Sequence, residues 1–261
     1  YQWPTIGKEL SHIANATLEE VEAFFFRFYA PNNAILAVTG NISFEEAVAL
    51  TEKWFGSIPR REVPQRNLPQ EQEQTEERRL TVERNVPLDS LFMAYHMPAH
   101  CHPDYYAFDI LSDVLSNGRS SRLSQRLVQQ KQLFSSIDAY ISGSVDAGLF
   151  HISGKPSAGV TLEQAEAAVR EELDLLQQEL VDEQELEKVK NKFESTQIFG
   201  NINYLNVATN LAWYELLGRA EDMEKEVDRY RSVTADQLRA VAQSAFRKEN
   251  GVILYYKKQQ N

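Results

Sequence analysis

One pattern occurs twice in the sequence, and it restricts the fold more than any other feature. Thr17 corresponds to Thr234, which lies 217 positions later, and each begins the Ser/Thr-x-x-Glu/Gln pattern that caps a helix. The same offset aligns further pairs: Val21 with Leu238, Phe24 with Val241, Asn33 with Asn250, and Ile35-Leu36 with Val252-Ile253. Both segments predict a capped helix, a short polar turn and an apolar strand. This self-similarity favours two related domains.

The remaining elements follow from caps and from the spacing of apolar residues. Ser43 and Thr161 carry the same capping pattern, and helices are also predicted over 104–115, 120–130, 183–218 with breaks, and 220–231. Short segments rich in β-branched and aromatic residues predict strands at 34–38, 79–84, 91–97, 135–143, 149–154 and 252–256. Small groups of strands between helices predict an α+β fold, with helices packed on a mainly antiparallel sheet.

A polar segment, 59–78, is predicted to be a linker. It has no apolar face, and three prolines interrupt regular structure in it: Pro59, Pro64 and Pro69. We therefore expect residues 1–58 to be the C-terminal part of a first domain, and 79–261 to be a second domain. The first piece is too short for a comparable core. The repeat implies that this domain is truncated at its N-terminus and that most of it precedes Tyr1.

Composition excludes several classes of function. The formal net charge is −11, so a basic groove for nucleic acid is not expected. No apolar run is long enough to span a bilayer, and the single Cys101 excludes an intramolecular disulfide and a multi-cysteine zinc site. A soluble protein of the cytoplasm or of the periplasm fits these features equally well. The start at Tyr1 implies removal of upstream residues.

Motifs for common catalytic sites are missing from the sequence. It contains neither His-Glu-x-x-His nor His-x-x-Glu-His, the helical motifs of zinc peptidases. It also lacks a Walker loop, a Gly-x-Gly-x-x-Gly turn after a strand, and Gly-x-Ser-x-Gly. Nucleotide binding and serine-nucleophile chemistry therefore have no support.

One cluster has the chemistry of metal ligands: His96, His100, Cys101 and His102. Pro98 interrupts the helical spacing that would place His96 and His100 on one face. We favour an exposed strand-to-helix turn over a metal-binding module. No catalytic, cofactor-binding or metal-binding residue is assigned in this chain.

Two other segments are given structural roles. The aromatic run at 24–29 predicts a helix buried on more than one side. The acidic helix at 163–187 carries alternating charges, which indicates a solvated face rather than a cation site.

Several words of the sequence, in order and spacing, resemble the pitrilysin/insulinase family of zinc metallopeptidases, especially its mitochondrial-processing-peptidase-like branch. In the first domain they are Pro4-Thr5-Ile6-Gly7, Phe28-Tyr29-Ala30-Pro31-Asn32-Asn33, Ala37-Val38-Thr39-Gly40-Asn41 and Trp54-Phe55-Gly56-Ser57-Ile58-Pro59. In the second they are His102-Pro103-Asp104-Tyr105-Tyr106-Ala107, Asn117-Gly118-Arg119-Ser120-Ser121-Arg122-Leu123 and Ala147-Gly148-Leu149-Phe150. The resemblance covers nearly the whole chain.

The resemblance implies a fold and a division of labour. Two related domains form a half, and two halves, fused or separate, close around an unfolded peptide that adds a strand to a sheet edge. Zinc is held by His-x-x-Glu-His and a later Glu, with the motif Glu as general base. These residues would all precede the Pro4-Thr5-Ile6-Gly7 word, so zinc is expected in the parent protein and not in this fragment.

The chain departs from the family at a second catalytic element. The family's opposite half carries an Arg and a Tyr seven residues apart, just after the Ser-Arg-Leu turn, which hold the substrate and the tetrahedral intermediate. The matching positions here are Val128 and Ser135. No catalytic residue is therefore carried over.

Two functions remain open at this point. The chain is either the C-terminal portion of a zinc metalloendopeptidase, inactive by itself and serving as scaffold and substrate-chamber wall, or a non-catalytic structural subunit of a processing-peptidase-like complex. The expected partners are a peptide or unfolded polypeptide and a second peptidase-like half or subunit, as a homodimer or heterodimer. A His-x-x-Glu-His motif upstream of Tyr1 would favour the first function.

Overall fold

The structure is a computed structural model that describes residues 7–65, 67–69 and 71–259. Pro4, Thr5 and Ile6, which belong to the first word of the family resemblance, lie outside the described residues. The chain divides into two compact units, Tyr1–Glu71 with Asn203–Ala220, and Gln72–Ile202 with Glu221–Asn261. The predicted domain boundaries at 58 and 79 stay predictions about independent folding.

The second unit is built on a five-stranded sheet. Its strands are β1 (Arg78–Arg84), β2 (Ser90–Met97), β3 (Phe134–Ile141), β4 (Gly148–Pro156) and β5 (Gly251–Lys258). The spatial order is β1-β5-β2-β4-β3; β1 runs parallel to β5, and the other neighbours are antiparallel. The predicted α+β fold with a mainly antiparallel sheet is confirmed, as are the predicted strands from residue 79 onward.

Helices of the second unit pack on this sheet or on one another. They are α4 (Tyr105–Ser116), α5 (Leu162–Gln178), α6 (Glu183–Gly200), α8 (Glu226–Ser232) and α9 (Ala235–Ala245). Contacts join α5 and α9 to β2 and α4 to β3, so these helices cover the sheet face whose side chains are buried. Thr161 and Thr234 each form the complete predicted capping box.

The core of the second unit follows from the two-residue period of its strands. Leu91, Met93 and Tyr95 of β2 are buried, whereas the residues between them are more accessible. Phe246, which follows α9, meets both Tyr95 and Phe150 edge-on, with ring centroids 5.2 Å apart in each pair. These contacts join the helical layer to β2 and β4.

The segment between α4 and β3 differs in detail from the prediction. Gly118 has a positive φ of 98°, which favours glycine in the turn before this helix. The Ser121 hydroxyl is buried and donates to the Gly118 carbonyl at 2.7 Å, so it closes this turn. The predicted helix continues as a π-helix over Ser124–Gln130, in which Lys131 N–H donates to the Arg126 carbonyl.

The first unit contains α1 (Leu10–Ala14), α2 (Leu18–Phe28), α3 (Phe44–Phe55) and α7 (Tyr204–Leu217). Thr17 forms a complete capping box, and the Ser43 hydroxyl accepts from the Glu46 N–H at 3.1 Å. The predicted strand at 34–38 is wrong, because no strand is formed there. A strand needs a hydrogen-bonded neighbour, and the described residues supply none to this segment.

The helix and turn of the internal repeat are confirmed. Helices α2 and α9 both span 11 residues, and a three-residue 3₁₀ turn follows each, at Pro31–Asn33 and Lys248–Asn250. Asn33 Nδ2 donates to the Phe28 carbonyl at 2.8 Å, and Asn250 Nδ2 donates to the Ala245 carbonyl at 2.8 Å. Each asparagine thus holds its turn to the last residue of the preceding helix. The two asparagines are 217 positions apart in the sequence.

Candidate functional site

The histidine turn, residues 96–102, lies between β2 and α4. His96 is on β2, with Nδ1 3.1 Å from Asn250 Oδ1. His100 is buried against Tyr105, with ring centroids 4.3 Å apart, and its main-chain N–H donates to the Ser144 carbonyl. Burial, together with the positive charge of Arg229, lowers the pKa of His100. A neutral imidazole wedged between aromatic rings has a packing role here.

The other members of this turn point to different partners. His102 Nδ1 accepts from the Asp104 N–H at 3.2 Å, and Cys101 is exposed and forms no disulfide. Across the described ranges, no group of three His, Cys, Asp or Glu side chains is arranged to hold a metal ion. The four side chains of the histidine turn therefore do not fit a zinc site.

The positions that match the family's Arg and Tyr lack both side-chain types. Val128 is on the π-helix and packs, partly buried, against the core. Ser135 is at the start of β3, where its hydroxyl donates to the Lys155 carbonyl at 3.1 Å. Neither side chain can offer a positive charge or a phenol to a reacting peptide.

Two arginines near these positions are engaged in ion pairs. Arg122 Nη2 lies 2.8 Å from Glu185 Oε2, and its Nε also contacts that carboxylate. Arg126 Nη1 donates to Glu172 Oε2 at 2.7 Å. Glu172 is buried on α5, so this ion pair joins the π-helix to α5. Arg122, which belongs to the family word Asn117 to Leu123, and Arg126, which follows it, are therefore both held in structural ion pairs.

A buried charge network lies where β1, β5 and α5 meet. The Arg79 guanidinium makes a bidentate contact with the Glu166 carboxylate, which also accepts from Tyr255 Oη at 2.6 Å and from Arg170 Nε at 2.8 Å. Burial alone would raise the pKa of Glu166, but these hydrogen bonds outweigh it and lower the pKa. Glu166 is thus held ionised.

The same network fixes the segment that precedes β1. Glu77 accepts from Arg170 Nη2 and from Arg79 Nη1, each at 2.5 Å. Gln74 Nε2 donates to the carbonyls of Glu249 and Gly251 at 2.8 and 2.9 Å. Residues 74–77 are therefore part of the second unit, although the sequence predicts a linker through 78.

Glu166 and Glu172 contradict the prediction of a solvated acidic helix at 163–187, because both side chains are buried. Their positions do fall on the helix face that Leu162, Ala165, Val169 and Leu173 define. That spacing is the signal that could have identified them, since a charge on an apolar face needs a partner.

A half-buried carboxylate that sequence reasoning missed lies on α4. Asp109 Oδ2 accepts from Tyr230 Oη at 2.5 Å, and the Tyr106 phenol accepts from Arg229 Nη1 at 3.1 Å. Burial is the largest cause that raises the pKa of Asp109, to about 6, with Asp113 and Glu226 adding repulsion. These two hydrogen bonds join α4 to α8, and we assign them a structural role.

The first unit exposes a set of apolar side chains that we call the apolar face. It consists of residues on α2 and in the segment after it: Val21, Phe24, Phe25, Leu36 and Val38. The aromatic run was predicted to be a helix buried on more than one side, and this prediction is wrong for Phe24, Phe25 and Phe26 in this chain. Apolar side chains exposed in this number are usually covered by another part of a folded protein or by a partner.

The fold and these sites define an α+β protein with a packed second unit and, within the described residues, no metal-binding cluster. Comparison with models of protein families identifies the family. The model described as the peptidase M16 inactive domain matches residues 15–193, and the chain belongs to the peptidase M16 family. The family expected from the sequence words is therefore confirmed.

Relatives of this chain are zinc proteases and processing peptidases. It is 29% identical over 195 residues to the zinc protease PqqE of Helicobacter pylori, covering 73% of this chain and 43% of that protein. It is 28% identical over 168 residues to the probable mitochondrial-processing peptidase subunit beta of Schizosaccharomyces pombe, covering 58% and 36%.

A solved structure has the same fold. The crystal structure of a protease from Helicobacter pylori superimposes with a TM-score of 0.87 at 25% identity, covering 95% of this chain and 61% of that one. The chain thus spans less than two thirds of the length of each of these proteins. Among the residues that the structure describes, no helix has both the length and the apolar character needed to cross a bilayer.

Proposed function

We propose that this chain is the C-terminal portion of a zinc metalloendopeptidase that cleaves peptides or unfolded protein segments. It serves as scaffold and as a wall of the substrate chamber, and it has no activity by itself. The observation that carries the proposal is the match of residues 15–193 to the inactive domain of a peptidase family. The zinc would be bound by a part of the protein outside this chain, and the partner is a second peptidase-like half or subunit.

The local chemistry of the second unit supports this role. Val128 and Ser135 cannot stabilise a tetrahedral intermediate, while Arg122 and Arg126 are committed to Glu185 and Glu172. A rigid, well-packed wall is what ion pairs between the π-helix and helices α5 and α6 would provide. The alternative function, a structural subunit of a processing-peptidase-like complex, needs the same rigidity but no catalytic partner.

A chimera separates the two functions. The segment of the Helicobacter pylori zinc protease that matches this chain is replaced by the chain, and hydrolysis of an unstructured peptide is measured with and without a chelator. We expect chelator-sensitive hydrolysis above that of the same protease with the segment deleted. A chimera that folds, judged by circular dichroism, but shows no hydrolysis would contradict the peptidase role and leave the structural one.

A further inference from the structure

The helices of the second unit cover one face of its sheet and leave the other face accessible. The covered face contains Leu91, Met93 and Tyr95, which are all buried. Side chains alternate along a strand, so the residues between these three point to the opposite side. Phe92 is one of them, and it is 41% exposed. We call this second surface of the five strands the open face.

An apolar row crosses the open face through three neighbouring strands. Leu80 of β1 lies opposite Leu254 of β5, which lies opposite Phe92 of β2. Leu80 is 60% exposed. Tyr256, two residues further along β5, meets the Phe92 ring edge-on, with ring centroids 6.3 Å apart. An apolar side chain from another polypeptide would be removed from water by packing against this row.

The open face is basic, although the chain as a whole has a net charge of −11. The pairing of the strands places four cations and one carboxylate on it: Arg78, Arg84, Lys155, Lys258 and Asp138. Arg84 lies directly opposite Lys258, and its guanidinium donates to the main-chain carbonyl of Glu83. Like charges in opposite positions of two strands destabilise a sheet. A bound carboxylate would relieve this repulsion.

We propose that the open face binds the polypeptide substrate and selects segments in which acidic residues flank an apolar one. This binding role rests on the proposed function, in which the second unit is a wall of the substrate chamber. Leu80 and Arg84 are four residues apart on β1, which corresponds to about 13 Å. An extended segment with an apolar side chain on the apolar row therefore brings the residue four positions away to the cation pair. A carboxylate at that position forms charge-assisted hydrogen bonds with Arg84 and Lys258.

A polypeptide fits the open face better than a nucleic acid or a second copy of this chain. A nucleic acid carries a phosphate at every nucleotide, so its charge would extend beyond the open face to the acidic remainder of the chain. A second copy that docked its own open face about a two-fold axis would bring cations against cations. A short acidic segment avoids both conflicts.

Fluorescence anisotropy of labelled peptides tests the proposal on the chain as it stands. The probe is a Gly/Ser-rich peptide with a central Phe-Leu-Phe segment and glutamates on both sides, and matched probes carry Lys or Gln in place of Glu. The salt concentration is about 0.1 M, so that charges more than about 10 Å apart are screened.

Two neighbouring lysines supply the variant and its matched control. Lys258→Glu changes the open face, whereas Lys257→Glu makes the same change in net charge on the helix side of β5. The Lys257 ammonium lies there, 6.0 Å from the centroid of the Tyr255 ring. Circular dichroism verifies that both variants are folded.

We expect the wild type to bind the Glu peptide about tenfold more tightly than the Lys peptide, with the Gln peptide between them. Lys258→Glu should weaken binding of the Glu peptide about fivefold, and Lys257→Glu should stay within about twofold of the wild type. Phe92→Ala should weaken binding of all three peptides by about tenfold, because it removes part of the apolar row.

Five results would overturn the proposal: no binding by the wild type, equal binding of the three peptides, equal effects of the two lysine variants, displacement of the Glu peptide by an oligothymidylate, or a dimer of the chain that excludes the peptide. The readout is binding by the chain alone. An inactive chimera would therefore contradict the proposed function and leave the measured peptide preference standing.

Discussion

At the scale of single residues, Asp109 should make stability depend on pH. Burial raises its pKa to about 6 from an ordinary value of 3.8. The stabilisation from its protonated form is complete below pH 3.8 and is lost as pH rises through about 6. The shift in pKa corresponds to a contribution of at most about 3 kcal/mol to the free energy of unfolding. We expect a smaller contribution, because the side chain is only half-buried and solvent screens its charge.

The prediction is that Asp109→Asn removes this dependence while still accepting from Tyr230. Relative to wild type, the variant should gain free energy of unfolding between pH 4 and pH 7, measured by urea titration at both values. Asp138→Asn, which removes an exposed carboxylate from β3, is the control and should follow wild type. A wild-type-to-variant difference that is equal at the two pH values would refute the assignment.

Glu166 gives a second prediction at this scale. Glu166→Gln removes the charge that Arg79 and Arg170 share, and it leaves two guanidinium groups with weaker acceptors. We expect a loss of about 1–3 kcal/mol in the free energy of unfolding. Glu171→Gln on the same helix breaks only the exposed pair with Lys131 and should cost at most about 1 kcal/mol. Equal losses for both variants in urea titration would show that the network around Glu166 stabilises the fold no more than an exposed ion pair does.

At the scale of elements, local pattern predicts what is set locally. The caps at Thr17, Thr161 and Thr234 and the two-residue period of β2 follow from neighbouring residues, and the structure has them. The segment 34–38 has the composition of a strand but forms none, because a strand also depends on its neighbours. In the same way, no spacing within α5 shows that Glu166 will meet Arg79, which lies 87 positions away in the sequence.

The linker gives a prediction for an element. The sequence predicts a linker over 59–78, and the contacts of Gln74 and Glu77 with the second unit place the first proteolytic cut that we expect within 59–71. A brief digestion with a non-specific protease, followed by mass spectrometry, should release a stable fragment that begins before residue 74. Earlier cleavage within 104–180, with the linker intact, would contradict 79–261 as an independent folding unit.

At the scale of the whole molecule, a net charge of −11 does not favour binding of nucleic acid, and the apolar face fits the second half or subunit that we propose as a partner. The candidate site shows how far the sequence reaches. The absence of the family's Arg and Tyr at Val128 and Ser135 is visible in the sequence. The hydrogen bond between Asp109 and Tyr230 could not be predicted, because these residues are 121 positions apart and meet only in the folded structure. The family match then identifies the chain as part of a peptidase family, and the described residues contain no metal-binding cluster.

Peptide hydrolysis by the isolated chain tests the central claim most directly. The chain is incubated with zinc and an unstructured fluorogenic peptide, with the full-length Helicobacter pylori zinc protease assayed in parallel and a chelator added to half of each sample. The account predicts that the chain alone gives the rate of the blank with and without chelator. Cleavage by the chain alone that exceeds the blank and is abolished by the chelator would contradict it.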